Sequence, residues 1–407
     1  MKCRHCQHDL ILPLVDLGVM PPSNAYLSSP DQFALEKVYP LKVWVCQHCW
    51  LVQTEDFTKA DELFTADYAY FSSTSISWLA HAKQFAENSI RDLELNTQSF
   101  VVEIASNDGY MLKNYLAAGI PCLGVEPTDA TATAARALGI DVVSEFFGQT
   151  LATTLVSDYR KADLIIANNV LAHVPDINDF VAGIALLLAE QGTASVEFPH
   201  LLNLLALSQF DTIYHEHYSY LSLHSACHIF SGIGLKVYNV EKLPTHGGSL
   251  RLWLCHQHAQ RATNKAVAEV LAEEDAAGLR SVDAYTGFQV KVDAIAERLR
   301  QFLQQCAQQD RKVVAYGAAA KGNTLLNYAS VTRFWLPVVA DAALSKQGKY
   351  LPGSHIPIVA PDSLADLQPD YVLVLPWNIR HEIVSQLQQV LRNTTQYVTL
   401  IPELYVS

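Results

Sequence analysis

The run Phe100-Val-Val-Glu103-Ile-Ala105-Ser-Asn107-Asp108-Gly109 decides the fold. It starts as a short apolar stretch of strand length and ends in small polar residues and a glycine. A helix pattern follows through Tyr110, Leu112, Tyr115 and Leu116. Reading outward, Cys122–Glu126 is a second strand, Ala130–Leu138 a helix and Asp141–Val143 a third strand. Asp163–Ala167, a helix over Phe180–Leu188 and a strand over Thr193–Phe198 continue the alternation. Strands separated by helices of this length predict βαβ units around a parallel sheet. Beyond it, the stripe Val292, Ile295, Leu299, Phe302 and Leu303 predicts a helix over Phe288–Cys306. Val313–Tyr316, Leu336–Ala340, Tyr371–Leu375 and Tyr397–Ile401 predict a second, smaller α/β sheet. The expected division is residues 1–58 as a small metal-binding domain, 59–262 as the first α/β domain and 263–407 as the second.

The 407 residues are half hydrophobic and 17% charged, ordinary for an α/β enzyme of two or three domains. A net charge of −13 with no basic run argues against a nucleic-acid partner. The N-terminal MKCRHCQHDL has no signal-peptide core, and no stretch is long and apolar enough to span a membrane. The expectation is a cytoplasmic monomer with no membrane partner.

Eight cysteines are present, and four form Cys3-x-x-Cys6 and Cys46-x-x-Cys49. Each pair can offer two thiolates from one tight turn, and two turns complete a tetrahedral zinc site. Reduced thiol pairs and a redox CxxC are the alternatives. His5, His8 and His48 lie close enough in sequence to replace a cysteine. Four thiolates leave no open coordination position, so the zinc is expected to be structural.

The loop after the first strand resembles the ExGxGxG signature of class I methyltransferases, with Ala105 and Asn107 in place of its first two glycines. It is not GxGxxG, so NAD is less well supported. Glu126, at the end of the second strand, is placed to accept ribose hydroxyls. S-adenosylmethionine is thus the expected cofactor, against Glu103, Ala105, Asn107, Gly109, Glu126 and Asn168. His173, in Asn168-Asn169-Val-Leu-Ala-His173, falls at the carboxyl edge of the sheet, where such sheets bind ligands.

The densest polar run is Tyr214-His215-Glu216-His217-Tyr218-Ser219-Tyr220. Such groups need partners if buried, and their ordinary pKa values suit proton transfer near neutrality. A solvated loop or a second metal site are the competing readings. Gly317-Ala-Ala-Ala-Lys321-Gly322-Asn323-Thr324 follows a strand and opens a helix, a setting that favours phosphate. His246-Gly-Gly-Ser249-x-Arg251 is a second phosphate candidate, with Arg251 as a bidentate clamp.

Taken together, the two CxxC pairs, EIASNDG, NNVLAHVPD, YHEHYSYLS, HGGSLR and GAAAKGNT resemble the sugar C-methyltransferases that act on nucleotide-linked 4-keto-deoxyhexoses. The resemblance runs over nearly the whole chain. It implies an N-terminal zinc domain, a class I Rossmann-like methyltransferase domain and a C-terminal Rossmann-like α/β domain, with the site in the cleft between the last two. It places His217 as general base, Tyr214 and Glu216 at proton-handling positions, and His173 and Tyr68 at further active-site positions. The implied substrate is a nucleotide-diphosphate sugar methylated at C3 through an enolate. Lys321, Asn323, His246, Ser249 and Arg251 are the expected substrate contacts. An O- or N-methyltransferase, an NAD-dependent oxidoreductase and a binding module with a decayed enzyme core are the rival readings.

Overall fold

The computed structural model describes residues 1–57, 72–74 and 76–407; Tyr68 lies outside the described residues. A seven-stranded sheet forms the centre. Its members are β4 (Val101–Ile104), β5 (Cys122–Val125), β6 (Asp141–Val143), β7 (Ala162–Asn168), β8 (Leu188–Pro199), β10 (Leu235–Leu243) and β11 (Ser249–His256). They are ordered β10-β11-β8-β7-β4-β5-β6. The chain winds outward from β4 to β6, then returns to build the other half from β7. The reversal between β4 and β7 opens a crevice at the carboxyl ends of those strands. All four residues of β4 are buried, as expected for a strand covered on both faces.

The sheet is not wholly parallel. β11 pairs antiparallel with both β8 and β10. The hairpin β10–β11 turns through Thr245-His246-Gly247-Gly248, with positive φ at His246 (53°), Gly247 (90°) and Gly248 (111°). A Cβ at Gly247 would strike the Trp377 ring, and one at Gly248 the Asn203 side chain. The glycines of the HGGS stretch therefore serve a crowded hairpin turn, where a side chain would collide. Ser249 is spent in the same turn, its hydroxyl donating to the Thr245 carbonyl at 3.0 Å.

Arg251 is also not a phosphate clamp. It sits on β11 directly across from Glu197 on β8 and Glu241 on β10. Its guanidinium donates to Glu197 Oε2 at 2.7 Å and Glu241 Oε2 at 3.2 Å, and stacks over Phe85 at 4.5 Å. Burial would raise the Glu197 carboxyl, but the His81 hydrogen bond and the Arg251 charge bring it to about 2. Cross-strand register makes this charge cluster, and register is invisible in a linear motif.

A six-stranded sheet follows. It comprises β12 (Val313–Tyr316), β13 (Val339–Ala340), β14 (Ile358–Val359), β15 (Tyr371–Val374), β16 (Gln396–Thr399) and β17 (Tyr405–Val406). The order is β14-β13-β12-β15-β16-β17, parallel except for β17. Its winding reverses between β12 and β15, so the Gly317 loop leaves the sheet at a second crevice. The helix Phe288–Gln308 covers it, burying Val292, Ile295, Ala296, Leu299, Leu303 and Cys306 along one face.

The N-terminal lobe has a sheet of β1 (Leu12–Met20), β2 (Tyr39–Val45) and β3 (Val52–Thr54), and its fourth strand comes from far along the chain. That strand is β9 (Ser219–Tyr220), which pairs Val52 with Tyr220 and Gln53 with Ser219. Among the described residues the lobe has no core of its own. Leu14, Leu41 and Val43 join the core under the C-terminal sheet, while Cys3, Leu10 and Leu51 join that of the central sheet.

The four motif cysteines converge. Cys3 Sγ lies 3.6 Å from Cys49 Sγ, Cys6 Sγ lies 3.4 Å from Cys46 Sγ, and all four are within 4.8 Å of one another. A tetrahedron with ~2.3 Å Zn–S bonds has sulfur–sulfur edges of about 3.8 Å. The two knuckles are built alike. Gln7 N donates to Cys3 O and Trp50 N to Cys46 O, with Gln7 and Trp50 both left-handed. Gln53 Nε2 adds a donor to Cys3 Sγ at 3.2 Å. The four thiolates fit a closed, structural zinc site; the exposed His8 and His48 also come within 4.8 Å of Cys6, on the outer side of the cluster.

Two measurements check these assignments. Elemental analysis is expected to find roughly one equivalent of zinc in the wild-type protein and none in Cys49→Ala, whose N-terminal lobe should open to limited proteolysis. Arg251→Ala is expected to cost about 3–5 kcal/mol in urea unfolding, because it leaves Glu197 buried without its cation. A variant that kept full stability and only weakened substrate binding would restore the clamp reading.

Candidate functional site

The first part of the site is the turn after β4. Ala105, Asn107 and Gly109 all have positive φ, at 57°, 51° and 79°. The loop thus keeps a glycine-type backbone at three alternating positions although only one is glycine. Gly109 is required for packing, since a Cβ there would lie 2.6 Å from Ile140 Cδ1. Glu126 is fastened to the turn: Asn107 N and Thr128 N each donate to its carboxylate at 2.9 Å, and the Thr128 hydroxyl joins them. Asn107 Oδ1 accepts from Ser72 N and Asp108 Oδ2 from Ser73 N. Glu103 is 1% exposed and lies within the sheet. Burial first, then the neighbouring Asp108 and Glu126 charges, push its carboxyl well above the ordinary range.

Beside this turn, at the end of β7, Asn168 and Asn169 present side-chain amides. Among the described residues, neither their oxygens nor their nitrogens have a hydrogen-bond partner. Leaving a buried polar group unpaired costs about 1–3 kcal/mol. Four such atoms at the mouth of a doubly wound sheet fit a polar ligand such as an amino-acid-bearing nucleoside.

The second part is the Tyr214–His217 segment, which is buried and is not a solvated loop. His217 Nδ1 lies 2.8 Å from Thr212 O, a pure acceptor, so Nδ1 carries the proton. Nε2 is therefore the lone-pair nitrogen, and Tyr214 OH approaches it at 2.8 Å. His173 sits against it, with ring centroids 4.5 Å apart, its own Nδ1 held by Glu216 O at 2.7 Å. Burial first, then the neighbouring His173, lower the His217 pKa well below its usual range. Burial likewise brings His173 and His246 to about 4. His215 is turned away, toward the Tyr39 carbonyl at 3.3 Å, so the two histidines of the run do not form a metal pair. Glu216 Oε1 accepts from Asn24 N and Asn24 Nδ2, both at 3.1 Å.

The third part comes from the C-terminal sheet. Lys321 Nζ donates to Asn378 Oδ1 at 2.8 Å and lies 4.7 Å from the centre of the Trp377 ring. Among the described residues no carboxylate reaches it within 4 Å, and burial lowers its pKa against the pull of Asp211. A buried ammonium with so little compensation is suited to an anionic ligand. The amides just before it are not a free cradle, because Ala318 N donates to Asp341 Oδ2 at 2.7 Å. Asn323 is 1% exposed and gives its amide to Ser23 O at 2.6 Å, so it ties the lobes together. His246, on the hairpin turn, packs edge-on to Trp78 at 5.3 Å.

The structure therefore brings His173, Tyr214, Glu216, His217, His246 and Lys321 into one neighbourhood. It sets Ser249, Asn323 and Arg251 in structural bonds. The sequence reading missed Asp211 and Trp377. Asp211 is fully buried, accepts from Trp377 Nε1 at 2.7 Å, and has its carboxyl raised to about 6 by burial against the opposing charge of Lys321. Its position three residues before Tyr214 was a signal, as was Trp377-Asn378 just past the end of a strand. Asn24, nearly two hundred residues from Glu216, gave none.

Family profiles match in three pieces: a zinc-binding domain over residues 3–64, a methyltransferase domain over 78–240, and the C-methyltransferase C-terminal domain over 244–402. The C-methyltransferase NovU of Streptomyces niveus is 34% identical over 402 residues, covering 99% of this chain and 96% of that protein. Among solved structures, magnesium protoporphyrin IX methyltransferase of Synechocystis with bound SAH aligns at 14% identity. It has a TM-score of 0.36 and covers 44% of this chain and 83% of that one. A SAM-dependent methyltransferase of Anabaena variabilis aligns at 12% identity and TM-score 0.39, covering 49% and 96%. With a class I sheet, a glycine-type turn beside unpaired amides and four converging thiolates, the chain belongs to the C-methyltransferase family with an N-terminal zinc-binding domain, and it is an S-adenosylmethionine-dependent methyltransferase.

Proposed function

We propose that the enzyme methylates C3 of a nucleotide-linked 4-keto-deoxyhexose, with His217 removing the C3 proton. The observation that carries this reading is the fixed tautomer of His217. Thr212 O holds Nδ1–H, so a lone pair on Nε2 faces Tyr214. O- or N-methylation would need little of this, since heteroatoms already hold a lone pair. Carbon becomes nucleophilic only after a proton is taken, and a ketone on the adjacent carbon makes that removal feasible.

The donor supplies an electrophilic sulfonium methyl; this chain's residues supply the rest. Glu126, the Ala105–Gly109 turn, Asn168 and Asn169 would hold it. His217 is neutral across the physiological range, as a base must be, because burial has removed the water that would solvate an imidazolium. Tyr214, now donating toward His217, is placed to move its hydrogen bond to the developing enolate oxygen when a ketone enters. Lys321 and Asn378 mark the diphosphate end. The domain division 1–58, 59–262 and 263–407 assigns these roles to zinc lobe, cofactor domain and nucleotide domain. Tyr68 is proposed as a further substrate contact.

His217→Ala is expected to lower kcat by about 100- to 10,000-fold while the calorimetric Kd for S-adenosylmethionine stays within about twofold. Equal loss of cofactor binding would remove the base assignment. For pH, a depressed histidine pKa means the neutral form survives as pH falls through 6.5, where an ordinary imidazole is half protonated. His217 itself is therefore expected to give no midpoint at pH 6.5. The acid limb should instead be half complete near pH 6, as Asp211 protonates and the charge balance at Lys321 changes. Asp211→Asn should remove that upper component; a wild-type midpoint at 6.5 that persists in this variant would contradict the assignment.

A further inference from the structure

Besides β3, a second short segment of the zinc-binding lobe reaches the Tyr214–His217 run. Ser23 to Leu27 crosses from the lobe to the C-terminal sheet and is tied at nearly every residue. Ser23 O accepts from Asn323 at 2.6 Å, and Ser23 Oγ lies 3.3 Å from Thr324 Oγ1. Tyr26 OH donates to Ala318 O at 2.5 Å, and Leu27 exchanges backbone hydrogen bonds with Tyr350 at 3.1 and 2.8 Å. Thr324, in turn, donates to Ile213 O, the residue before Tyr214. Between these ties, Asn24 turns its backbone and side-chain N–H groups onto a single oxygen of Glu216.

We propose that Asn24 is a positioning residue, which holds Glu216 so that its free oxygen is presented to the sugar; this rests on the assignment of Glu216 to the reaction. Two donors on Oε1 fix the plane of the carboxylate. Oε2 is then left buried with no partner among the described residues. A glutamate kept for packing alone would have both oxygens satisfied, since an unpaired one is costly. The titratable groups in its surroundings are Tyr26 and Tyr220, which feel its charge, with His173 on its carbonyl and His217 next in the chain. Among the described residues no cation pairs with it within 4 Å. Burial raises the Glu216 carboxyl, and its own backbone N–H, the two N–H groups of Asn24 and the Ser23 N–H oppose the rise. Hydrogen bonds to an ionised carboxylate favour the ionised form. Asn24 thus sets the direction of Glu216 and contributes to its proton affinity. Because its segment is riveted to the helix carrying Lys321, the zinc lobe links the nucleotide end of the cleft to the sugar end.

The test uses the full-length zinc-loaded enzyme. The protonated-carboxyl infrared band that disappears in Glu216→Gln is followed against pH in wild type, Asn24→Ala and the near-isosteric Asn24→Asp. The midpoint is expected to rise at least tenfold in proton affinity in Asn24→Asp, and by less in Asn24→Ala, which keeps the backbone donor. With a dTDP-linked 4-keto-6-deoxyhexose as probe, kcat should fall about tenfold in Asn24→Asp, with its acid limb moved to higher pH. Zinc content and the Kd for S-adenosylmethionine should be unchanged. An unshifted midpoint in both variants overturns the proposal, and this arm needs no substrate. A slow Glu216→Gln beside full-speed Asn24 variants overturns the proposal alone. A full-speed Glu216→Gln overturns it together with the reading on which it rests.

Discussion

Two backbone pairs, Val52 with Tyr220 and Gln53 with Ser219, hold the rest in place. They recruit the strand that ends the Tyr214–His217 segment into the sheet of the zinc-binding lobe. Thr54 extends the zipper, its N–H on Tyr218 O and its hydroxyl on His217 O, both at 3.1 Å. The same β3 strand follows directly on the Cys46–Cys49 knuckle and carries Gln53 onto Cys3. The metal site therefore fixes a strand, the strand fixes the Tyr214–His217 run, and the geometry of His217 follows. A lobe without a core of its own can do this because its apolar side chains are shared between its two neighbours.

Burial is the second organising condition. His173, His217 and His246 are all kept neutral by loss of solvent, and Lys321 and Asp211 are pushed toward their uncharged forms by the same cause. In such a medium each remaining charge acts over a longer range than in water. Lys321, Asp211 and Trp377 are therefore best understood as one unit, in which the indole N–H steadies the carboxylate and the indole face steadies the ammonium. An entering anion would meet a cation already poised.

Much of this was legible from residue order. The strands at Asp141–Val143 and Val313–Tyr316 stand where periodicity put them, and the turn after Ile104 and the four thiolates were placed by local spacing. What escaped was whatever depends on pairing between distant segments. Arg251 looked like an anion clamp because its two carboxylate neighbours lie on adjacent strands, Glu241 across the hairpin and Glu197 54 residues away. Asn323 belonged to a phosphate-like loop in sequence, yet its amide closes a contact with Ser23. Leu235–Leu243 and Ser249–His256 escaped because a glycine turn between two strands is easily taken for a ligand loop. Short-range chemistry could be read; the cross-strand partners that neutralise it could not.

The turn after β4 shows why an imperfect motif still marks a working site. Ala105 and Asn107 adopt a left-handed backbone that costs a residue with a Cβ about 1 kcal/mol or more. Glycine would avoid that cost, yet the turn holds the left-handed conformation without it. What holds the conformation is the carboxylate of Glu126, which accepts from the backbone of Asn107 inside the turn and of Thr128 beyond it. The acid at the second strand end is thus part of the loop's frame as well as its ligand surface. A loop that keeps a strained shape against its own side chains is being held for what it binds, and here the unpaired amides of Asn168 and Asn169 lie at its edge.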